Sequence, residues 1–538
     1  MSNISELLDL VANEIPKSPA ITSRRRGLDE TLSFRRLQEC VCCEALRLRK
    51  LGLRPGNRIL VMCSPGMRLY ISVLAIFRIG ATAVFVDPGA GLKRLNECCR
   101  AAELTAVLAT PAAWMLRPLV PELRWKPRWI RVCRRFDRIA DRVSAEVVGS
   151  DHSALLTFTS GSTGEPRGVI RSHGFLAIQQ AAIARECELH AGESQLLTMP
   201  MFVLSNLAAG LHSIVGDVRL RKPRNDSPQR LISQIEASHP SRLLVSPSLL
   251  DELARYAIRE SRVLASVRRI TTGGAPVFPR TILAAKLAMP NARVDVVYGS
   301  TEAEPISVLS WSAGQTCDYL QTREGFGLPA GKLCEDISVR LLSTHWNRTP
   351  DSEASHDIGP QVVSVEALDS HTLSFPCTGE IVVSGERVLK GYLNSAGDRE
   401  SKIRVGERIW HRTGDVGRFD EHGRLWLLGR LAGRVCDRRG SLEAFRVEAA
   451  AMEHANVRRC ALTAIAGRRV LIVEAAGREP NSRSEWKSNL MKQLAWAELD
   501  EVKEVRRIPL DRRHHAKVDY PALRALVGAD PEGKDRMT

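Results

Sequence analysis

A repeated alternation between short apolar runs and helical patterns constrains this chain more than any other feature of its sequence. The runs are RILVMCSP (58–65), AVLAT (106–110), LLTFTS (155–160), RLLVSPS (242–248) and VDVVYGS (294–300). Most of them end in Gly, Pro or Ser, and helical patterns separate them. This order predicts parallel sheets covered by helices. Because ligands bind beyond the carboxyl ends of such strands, we expect the chemistry at the Gly-, Ser- and Thr-rich ends.

The chain has 538 residues, which is more than a single hydrophobic core usually holds. We predict an α/β fold, with a large N-terminal domain of helix-covered sheets over residues 1–430 and a small C-terminal α+β domain over residues 431–538. The boundary follows RIWHRTGDVGRFDEHGRLWLLGR (408–430), a hairpin pattern whose turn lies at 420–423. Residues 345–372 are polar and lack periodicity, so they are predicted to form a surface insertion.

Composition and charge exclude several classes of protein. The net charge of +16 would suit a polyanion, but Lys and Arg are spread along the chain and no nucleic-acid-binding motif accompanies them. We therefore predict a solvated basic surface and no nucleic-acid partner, with an acidic protein or polyanionic substrate as the alternative. No apolar run approaches the roughly 18 residues of a membrane span. The amphipathic N-terminus lacks a signal-peptide pattern, which favours a cytoplasmic protein.

Thirteen cysteines are scattered along the chain without the spacing of ligand pairs. We interpret them as reduced thiols of a cytosolic protein, in preference to disulfides or a zinc site.

The stretch LLTFTSGSTGEPRG (155–168) carries the strongest chemical signal. Its glycines let the backbone approach an anion, while backbone N–H groups and hydroxyls supply hydrogen-bond donors. It does not match the Walker pattern, which needs GxxxxGK[ST] before a helix. The stretch predicts a different kind of phosphate-binding loop, made by Thr159, Ser160, Gly161, Ser162, Thr163 and Gly164.

The same loop resembles the signature loop of the acyl-adenylate-forming superfamily, which includes acyl-CoA synthetases, peptide-synthetase adenylation domains and luciferases. Further resemblances follow in the family's order: TTGGAP (271–276), YGSTEAEP (298–305), TGD (413–415), GR (429–430) and a lysine near the C-terminus. The resemblance implies ATP- and Mg²⁺-dependent activation of a carboxylic acid as its acyl-AMP. It also implies that the C-terminal domain is a mobile lid that carries the catalytic lysine.

The resemblance implies a role for each matching nucleotide-side residue. Tyr298 would stack on adenine, since its flat ring suits the base. Asp415 would accept hydrogen bonds from the ribose hydroxyls, and Arg430 would contact the nucleotide from the hinge. The remaining nucleotide-binding positions implied by the family's motifs are Gly273, Gly274, Ala275, Pro276 and Gly299.

Three further residues would act at the phosphates. Thr301 would donate to the α-phosphate, and Glu302 would hold Mg²⁺, a cation that prefers oxygen ligands. Lys517 would bridge the two anions that meet in the transition state. Arg167 stands where the family usually has Lys, which keeps the positive charge but changes the donor geometry.

Three features distinguish the chain from an ordinary CoA ligase. The family's hinge Asp or Lys is Ala432, and the small-domain stretch that helps to form the thioester-stage site is replaced by RRGSLEAFRVEAA (438–450). VDPGAG (86–91) and IPLDRRHHAKVDYPAL (508–523) resemble segments of the olefin-pathway β-lactone synthetases. Those enzymes adenylate a 3-hydroxy fatty acid, whose own hydroxyl then displaces AMP.

The favoured prediction is therefore a β-lactone synthetase acting on a small-molecule fatty or 3-hydroxy acid, alongside partner enzymes of the same pathway. The apolar segments PMFVLSNLAAG (200–210) and LLVSPSLL (243–250) would line the acyl pocket. Two alternatives stay open: an acyl-CoA or acyl-carrier-protein ligase, and a non-catalytic nucleotide-binding homologue.

Overall fold

Helices occur along almost the whole chain in the structure, a computed structural model. It describes residues 3–25, 27–125, 127–133, 136, 143–160, 166–218, 227–311, 316–344, 346, 359–477, 483–510 and 517–528. The helices are α1 Glu6–Glu14, α2 Phe34–Lys50, α3 Met67–Arg78, α4 Gly91–Ala102, α5 Pro121–Arg124, α6 His173–Glu186, α7 Phe202–Ala208, α8 Ser227–Ser238, α9 Pro247–Arg259, α10 Pro279–Ala288, α11 Thr316–Arg323, α12 Val365–Ser370, α13 Asp398–Ser401, α14 Ala444–Met452, α15 Arg483–Gln493 and α16 Tyr520–Gly528.

Strands alternate with these helices through the first three hundred residues and dominate the region after them. They are β1 Pro19–Arg25, β2 Leu28–Ser33, β3 Arg58–Met62, β4 Thr82–Phe85, β5 Ala106–Ala109, β6 Arg128–Arg131, β7 Ser153–Ser160, β8 Pro166–Ser172, β9 Ser194–Leu197, β10 His212–Val215, β11 Arg242–Leu244, β12 Arg269–Gly273, β13 Arg293–Ser300, β14 Ala303–Trp311, β15 Leu328–Leu333, β16 Ser338–Leu342, β17 Gln361–Val362, β18 Thr372–Leu373, β19 Gly379–Ser384, β20 Lys402–Val405, β21 Arg408–Phe419, β22 Leu425–Arg430, β23 Val435–Asp437, β24 Gly440–Leu442, β25 Val457–Ile465, β26 Arg468–Ala475 and β27 Glu501–Glu504.

Two large sheets build most of the chain up to Arg430. One has the order β6-β5-β3-β4-β7-β8, and the other runs β2-β1-β10-β9-β11-β12-β13-β14-β15 and continues through β22-β21-β19-β16-β18. The stretch from β1 through β10, β9, β11 and β12 to β13 is parallel. Helices cover these sheets and bury apolar side chains against them. The predicted α/β class with helix-covered sheets is confirmed.

The five apolar runs named above all contain strands, and the hairpin at 408–430 is also confirmed. In that hairpin β21 and β22 pair antiparallel, and Asp415 lies opposite Arg430. The predicted parallel order does not hold throughout the sheets. β7 and β8 pair antiparallel, because the five residues between them are too few for the crossover that parallel strands need. β13, β14 and β15 also pair antiparallel.

The predicted surface insertion at 345–372 contains regular structure in its second half. Residues 361–362 form β17, which pairs with β20, and α12 follows with its N-terminus capped by Ser364. Leu368 of this helix packs into a cluster with Trp346 and Trp410. No periodicity is visible in the sequence here because each element is too short for a pattern to repeat. Residues 345 and 347–358 lie outside the described residues.

The C-terminal part folds around its own sheet, β25-β26-β27, with β23 and β24 as a separate pair. Helix α14 packs on one side with Trp486 and Leu490 of α15. Helix α16 contributes Leu523 and Val527 to a second cluster, against Ile472. No helix in the described ranges has both the length and the apolar character that a bilayer crossing requires.

Gly331 in β15 offers a test of the strand packing that supports the site. Its φ is 84°, and a Cβ there would overlap the Val308 carbonyl oxygen and the backbone of Leu309 on β14. Gly423 is a matched control, since its φ is 70° but no atom lies within 4 Å of its Cβ position. We expect Gly331→Ala to lower the free energy of unfolding by about 2 kcal/mol more than Gly423→Ala, because overpacking adds to the backbone cost. Urea unfolding measures both; equal losses would contradict the close approach of β14 and β15.

Candidate active site

A cleft of about 4380 Å³ lies between the large sheets and the C-terminal part. Elements from both parts of the chain line it. From the large sheets come residues at strand ends, such as Thr159, Tyr298 and Asp415, and from the C-terminal part come Lys517 and Tyr520. Thr159 and Lys517 therefore line the same cleft, although they lie more than 350 positions apart in the sequence.

The hairpin β7–β8 holds the predicted phosphate loop at the wall of the cleft. Ser160 lies opposite Pro166 and Thr159 opposite Arg167, so the strands pair up to the loop itself. The predicted loop residues Gly161, Ser162, Thr163 and Gly164 lie outside the described residues. Their role in phosphate binding stays a prediction, supported by the strands on both sides.

The Arg167 side chain points towards a neighbouring segment rather than along its own loop. Its Nη2 lies 3.5 Å from an Oε of Glu400, and its guanidinium lies 5.7 Å from the ring centre of Tyr392. A Cβ on Gly397 would overlap this guanidinium, so glycine makes room for it. Arg167 thus links the phosphate-loop hairpin to residues 391–400, and contact with the pyrophosphate remains a prediction.

The adenine-side loop follows β12 and runs beside β13. A Cβ on Gly273 would overlap the carbonyl oxygen of Val297, the residue before Tyr298. Gly274 then has a φ of 78°, a conformation that favours glycine. Both glycines are therefore required for the loop to lie close to Tyr298, and Gly274, Ala275 and Pro276 reach the cleft.

Tyr298, Asp415 and Arg430 form a connected constellation at the predicted nucleotide site. The Tyr298 hydroxyl donates to Oδ2 of Asp415 over 2.9 Å, and Arg430 Nε lies 3.0 Å from Oδ1. Burial, together with the Asp415 carboxylate, raises the pKa of Tyr298 well above its usual value. Arg430 also donates to the Thr413 carbonyl, 2.9 Å away, so the carboxylate is held firmly on the edge of the cleft.

Thr301 and Glu302 form the tip of the β13–β14 hairpin. Gly299 precedes them, and the strand register shifts between Tyr298 and Ser300. Arg171, which the sequence did not indicate, donates from Nη2 to the Thr301 carbonyl over 2.7 Å. The tip is thereby tied to β8 and directs its side chains into the cleft.

The electrostatic surroundings of Glu302 come from residues that sequence reasoning missed. The Tyr392 hydroxyl donates to Glu302 Oε1 over 2.8 Å, and the buried Lys402 donates to the Leu389 carbonyl, with its Nζ 5.3 Å from the Tyr392 ring centre. Burial works to raise the pKa of Glu302, but the hydrogen bond from the Tyr392 hydroxyl and the charge of Lys402 act in the opposite direction, and the pKa lies below its usual value.

Of these neighbours, Tyr392 and Lys402 stabilise the Glu302 carboxylate. Burial lowers the pKa of His411 to about 3, so its ring is neutral at pH 7. Burial also lowers the pKa of Lys402, to about 8, which leaves most of it charged at pH 7. Glu302 is consequently an ionised carboxylate at the tip of a hairpin.

A second carboxylate, Glu304, lies in the cleft wall two residues further on. Burial raises its pKa to about 7, and the nearby Arg171 guanidinium acts in the opposite direction. Arg171 lies outside the motifs named above, whereas Glu304 lies within YGSTEAEP (298–305), whose last letters could have drawn attention to it. The predicted acyl-pocket segments also reach the cleft, through Met201 and Phe202 and through 246–249. These two segments therefore bring both apolar side chains and the hydroxyls of Ser246 and Ser248 to the cleft.

Lys517 lies on the C-terminal side of the cleft. It directly precedes Val518, which forms an isolated antiparallel bridge with Leu510, and its side chain is exposed to the cleft. The described residues hold no group of three or more metal-binding side chains.

Comparison with known proteins identifies the family. The model of the family described as "AMP-binding enzyme" matches residues 8–393. This chain belongs to the AMP-binding enzyme family. It is 30% identical to the olefin beta-lactone synthetase of Stenotrophomonas maltophilia over 98% of this chain and 99% of that protein, and 27% identical to the feruloyl-CoA synthase of an Amycolatopsis species over 83% of each. The predicted family is confirmed.

Solved structures agree on the fold of this AMP-binding enzyme. The amide bond synthetase McbA from Marinactinospora thermotolerans superposes with a TM-score of 0.76 at 22% identity, covering 97% of this chain and 99% of that one. An anthranilate CoA ligase in complex with anthranoyl-AMP superposes with a TM-score of 0.77 at 14% identity, covering 98% and 97%. The prediction of an ATP-dependent, AMP-forming enzyme that activates a small carboxylic acid is confirmed.

Two substitutions at Tyr298 separate its ring from its hydroxyl. In this AMP-binding enzyme, Tyr298→Ala should weaken AMP binding ~10- to 100-fold, because base–aromatic stacking contributes about 1–3 kcal/mol. Tyr298→Phe keeps the ring and frees one Asp415 oxygen, so its AMP affinity should stay within about 3-fold of the wild type. Isothermal titration with AMP measures both; equal weakening would mean that Tyr298 acts through Asp415 and not by stacking.

Proposed function

We propose that the enzyme adenylates a fatty acid that carries a 3-hydroxyl group and then closes it to a β-lactone. The observation that carries this proposal is the end-to-end similarity to the olefin beta-lactone synthetase of Stenotrophomonas maltophilia, 30% over 98% of this chain. The aligned region includes the C-terminal part with Lys517, which the family model at residues 8–393 does not reach.

In the first step the substrate carboxylate attacks the α-phosphorus of ATP. An oxygen–phosphorus bond forms, the bond to pyrophosphate breaks, and pyrophosphate leaves with the electron pair. Lys517 lines the same cleft as Thr301 and Glu302, and a cation there would reduce repulsion between the two anions. Thr301, at the hairpin tip, would donate to the α-phosphate. No side-chain nucleophile is required.

Glu302 is the residue we assign to Mg²⁺. It is ionised and directed into the cleft, and a single carboxylate with phosphate oxygens suits this ion. When bound, Mg²⁺ would neutralise negative charge on the phosphates. Asp415 would accept from the ribose hydroxyls, since its oxygens keep lone pairs beyond those used by Tyr298 and Arg430.

In the second step the 3-hydroxyl oxygen attacks the acyl carbon. The bond from that carbon to the AMP oxygen breaks, AMP leaves with the electron pair, and the hydroxyl proton passes to solvent. A nucleophile within the substrate has a high effective molarity, so this step needs no CoA. Glu304 and Arg171 also line the cleft, where they would offer polar groups to a substrate hydroxyl.

The second candidate function is an acyl-CoA ligase, favoured by the 27% identity to a feruloyl-CoA synthase. Against it stand Ala432 at the hinge position and the altered stretch at 438–450. The non-catalytic hypothesis has no support in the comparisons. The proposal also includes a domain boundary between residues 430 and 431, partner enzymes of the same pathway and a cytoplasmic location.

Lys517→Ala should slow acid-dependent pyrophosphate release by ~100-fold or more, as expected for removing one transition-state charge. Its unfolding midpoint should be unchanged, because the side chain is exposed. Lys487→Ala is the matched control, since that lysine pairs with Glu504 at 3.4 Å on the same part of the chain, outside the cleft. Pyrophosphate release near the wild-type rate in Lys517→Ala would refute the assigned role.

Glu302→Gln should weaken Mg²⁺-dependent turnover at least ~10-fold, because the substituted amide offers the ion no negative charge. AMP binding needs no metal and should change by less than about 3-fold. Turnover against Mg²⁺ concentration, together with titration by AMP, gives both numbers. A parallel loss of AMP affinity would instead assign Glu302 a structural role.

The complete reaction is tested with ATP, Mg²⁺ and a 3-hydroxy fatty acid, with and without CoA. Without CoA, we expect AMP and a product about 18 mass units lighter than the acid, the loss of one water on internal capture. A 3-deoxy acid should stop at the acyl-AMP, which hydroxylamine traps as a hydroxamate. Efficient thioester formation from the 3-deoxy acid in the presence of CoA would replace the β-lactone proposal with the CoA-ligase one.

A further inference from the structure

Arg280, the second residue of α10, reaches from the large sheets to the C-terminal part. Its Nη1 donates to the carbonyl oxygens of Met452 and Val457, at 2.6 and 2.7 Å. Its Nη2 donates to the Arg458 carbonyl over 2.8 Å, and its backbone N–H donates to Glu453 over 3.3 Å. One residue therefore binds four groups on the other side of the cleft.

The acceptors of Arg280 lie where a positive charge is favourable. Met452 is the last residue of α14, where carbonyl oxygens lack helical partners and carry the negative end of the helix dipole. Val457 and Arg458 begin β25, so the same guanidinium joins the end of the helix to the start of the strand. Hydrogen bonds from a charged donor are stronger than neutral ones.

The position of Arg280 in the chain connects this contact to the nucleotide site. It lies four residues after Pro276, the end of the adenine-side loop, and it lines the same cleft as Lys517. A second contact between the two parts has only one such hydrogen bond. There Arg446 Nε donates to the Gly325 carbonyl over 2.8 Å, and Trp496 packs against Gly325. Among the described residues of α10, Arg280 makes the most hydrogen bonds to the C-terminal part.

We propose that Arg280 is a positioning residue that holds the C-terminal part in the orientation in which Lys517 lines the cleft. The inference rests on the role proposed above for Lys517, but not on the choice between lactone and thioester. An enzyme that ends its reaction with an internal nucleophile can keep this orientation throughout. A rotation of the C-terminal part would have to break all four hydrogen bonds.

The first test compares Arg280→Ala with Arg262→Ala in the full-length enzyme. Arg262 is a matched control, because it is an exposed arginine of the large part that pairs with Glu236 at 3.0 Å and does not line the cleft. In Arg280→Ala, the kcat for hydroxamate formation should be about 10-fold lower. This is the effect expected if only roughly a tenth of the molecules keep the orientation in which Lys517 lines the cleft. The KM for ATP and the affinity for AMP should stay within about 2-fold. Amide exchange over 444–458 should rise in Arg280→Ala alone.

The second test combines Arg280→Ala with Lys517→Ala. If Arg280 acts through Lys517, the double variant should be no slower than Lys517→Ala, because the lysine it positions is already gone. Multiplicative losses, an unchanged kcat or unchanged amide exchange would each overturn the inference. A Lys517→Ala variant of wild-type activity would refute the role of the lysine itself, while the exchange experiment would still decide whether Arg280 holds the C-terminal part.

Discussion

The Asp415 carboxylate joins the parts of the chain on which the site depends. It accepts a hydrogen bond from Tyr298, a residue of β13. It also forms an ion pair with Arg430, which lies opposite it in the β21–β22 hairpin. Beyond Arg430 the chain passes to the C-terminal part. One charged group thus links the proposed nucleotide site to the segment from which the C-terminal part begins.

A second constraint is the charge balance behind Glu302. A carboxylate near a protein interior is costly unless a cation or a donor compensates it. Lys402 and the Tyr392 hydroxyl supply this compensation, and Arg167 packs on the same tyrosine ring. The β7–β8 hairpin, Glu302 and the segment at 391–402 therefore form one electrostatic unit.

The chemistry proposed for the enzyme follows from what each side of the cleft contributes. The large sheets supply rigid strand ends and tight glycine turns, which suit the binding of a nucleotide. The C-terminal part supplies Lys517, and the hydrogen bonds of Arg280 hold that part in place. An internal hydroxyl as the final nucleophile is compatible with a lid that stays in place, because nothing further has to enter the cleft.

The sequence by itself determined the five strands predicted from apolar runs, the β21–β22 hairpin and the family, because these depend on local requirements: apolar runs, turn residues and short motifs. It could not indicate Tyr392, Lys402 or Arg280, whose partners lie 13 to 178 residues away. The antiparallel return of β8 and the direction of Arg167 were likewise decided only by the tertiary structure. The physical reason is that compensation of buried charge and capping across an interface depend on which distant groups come within hydrogen-bonding distance.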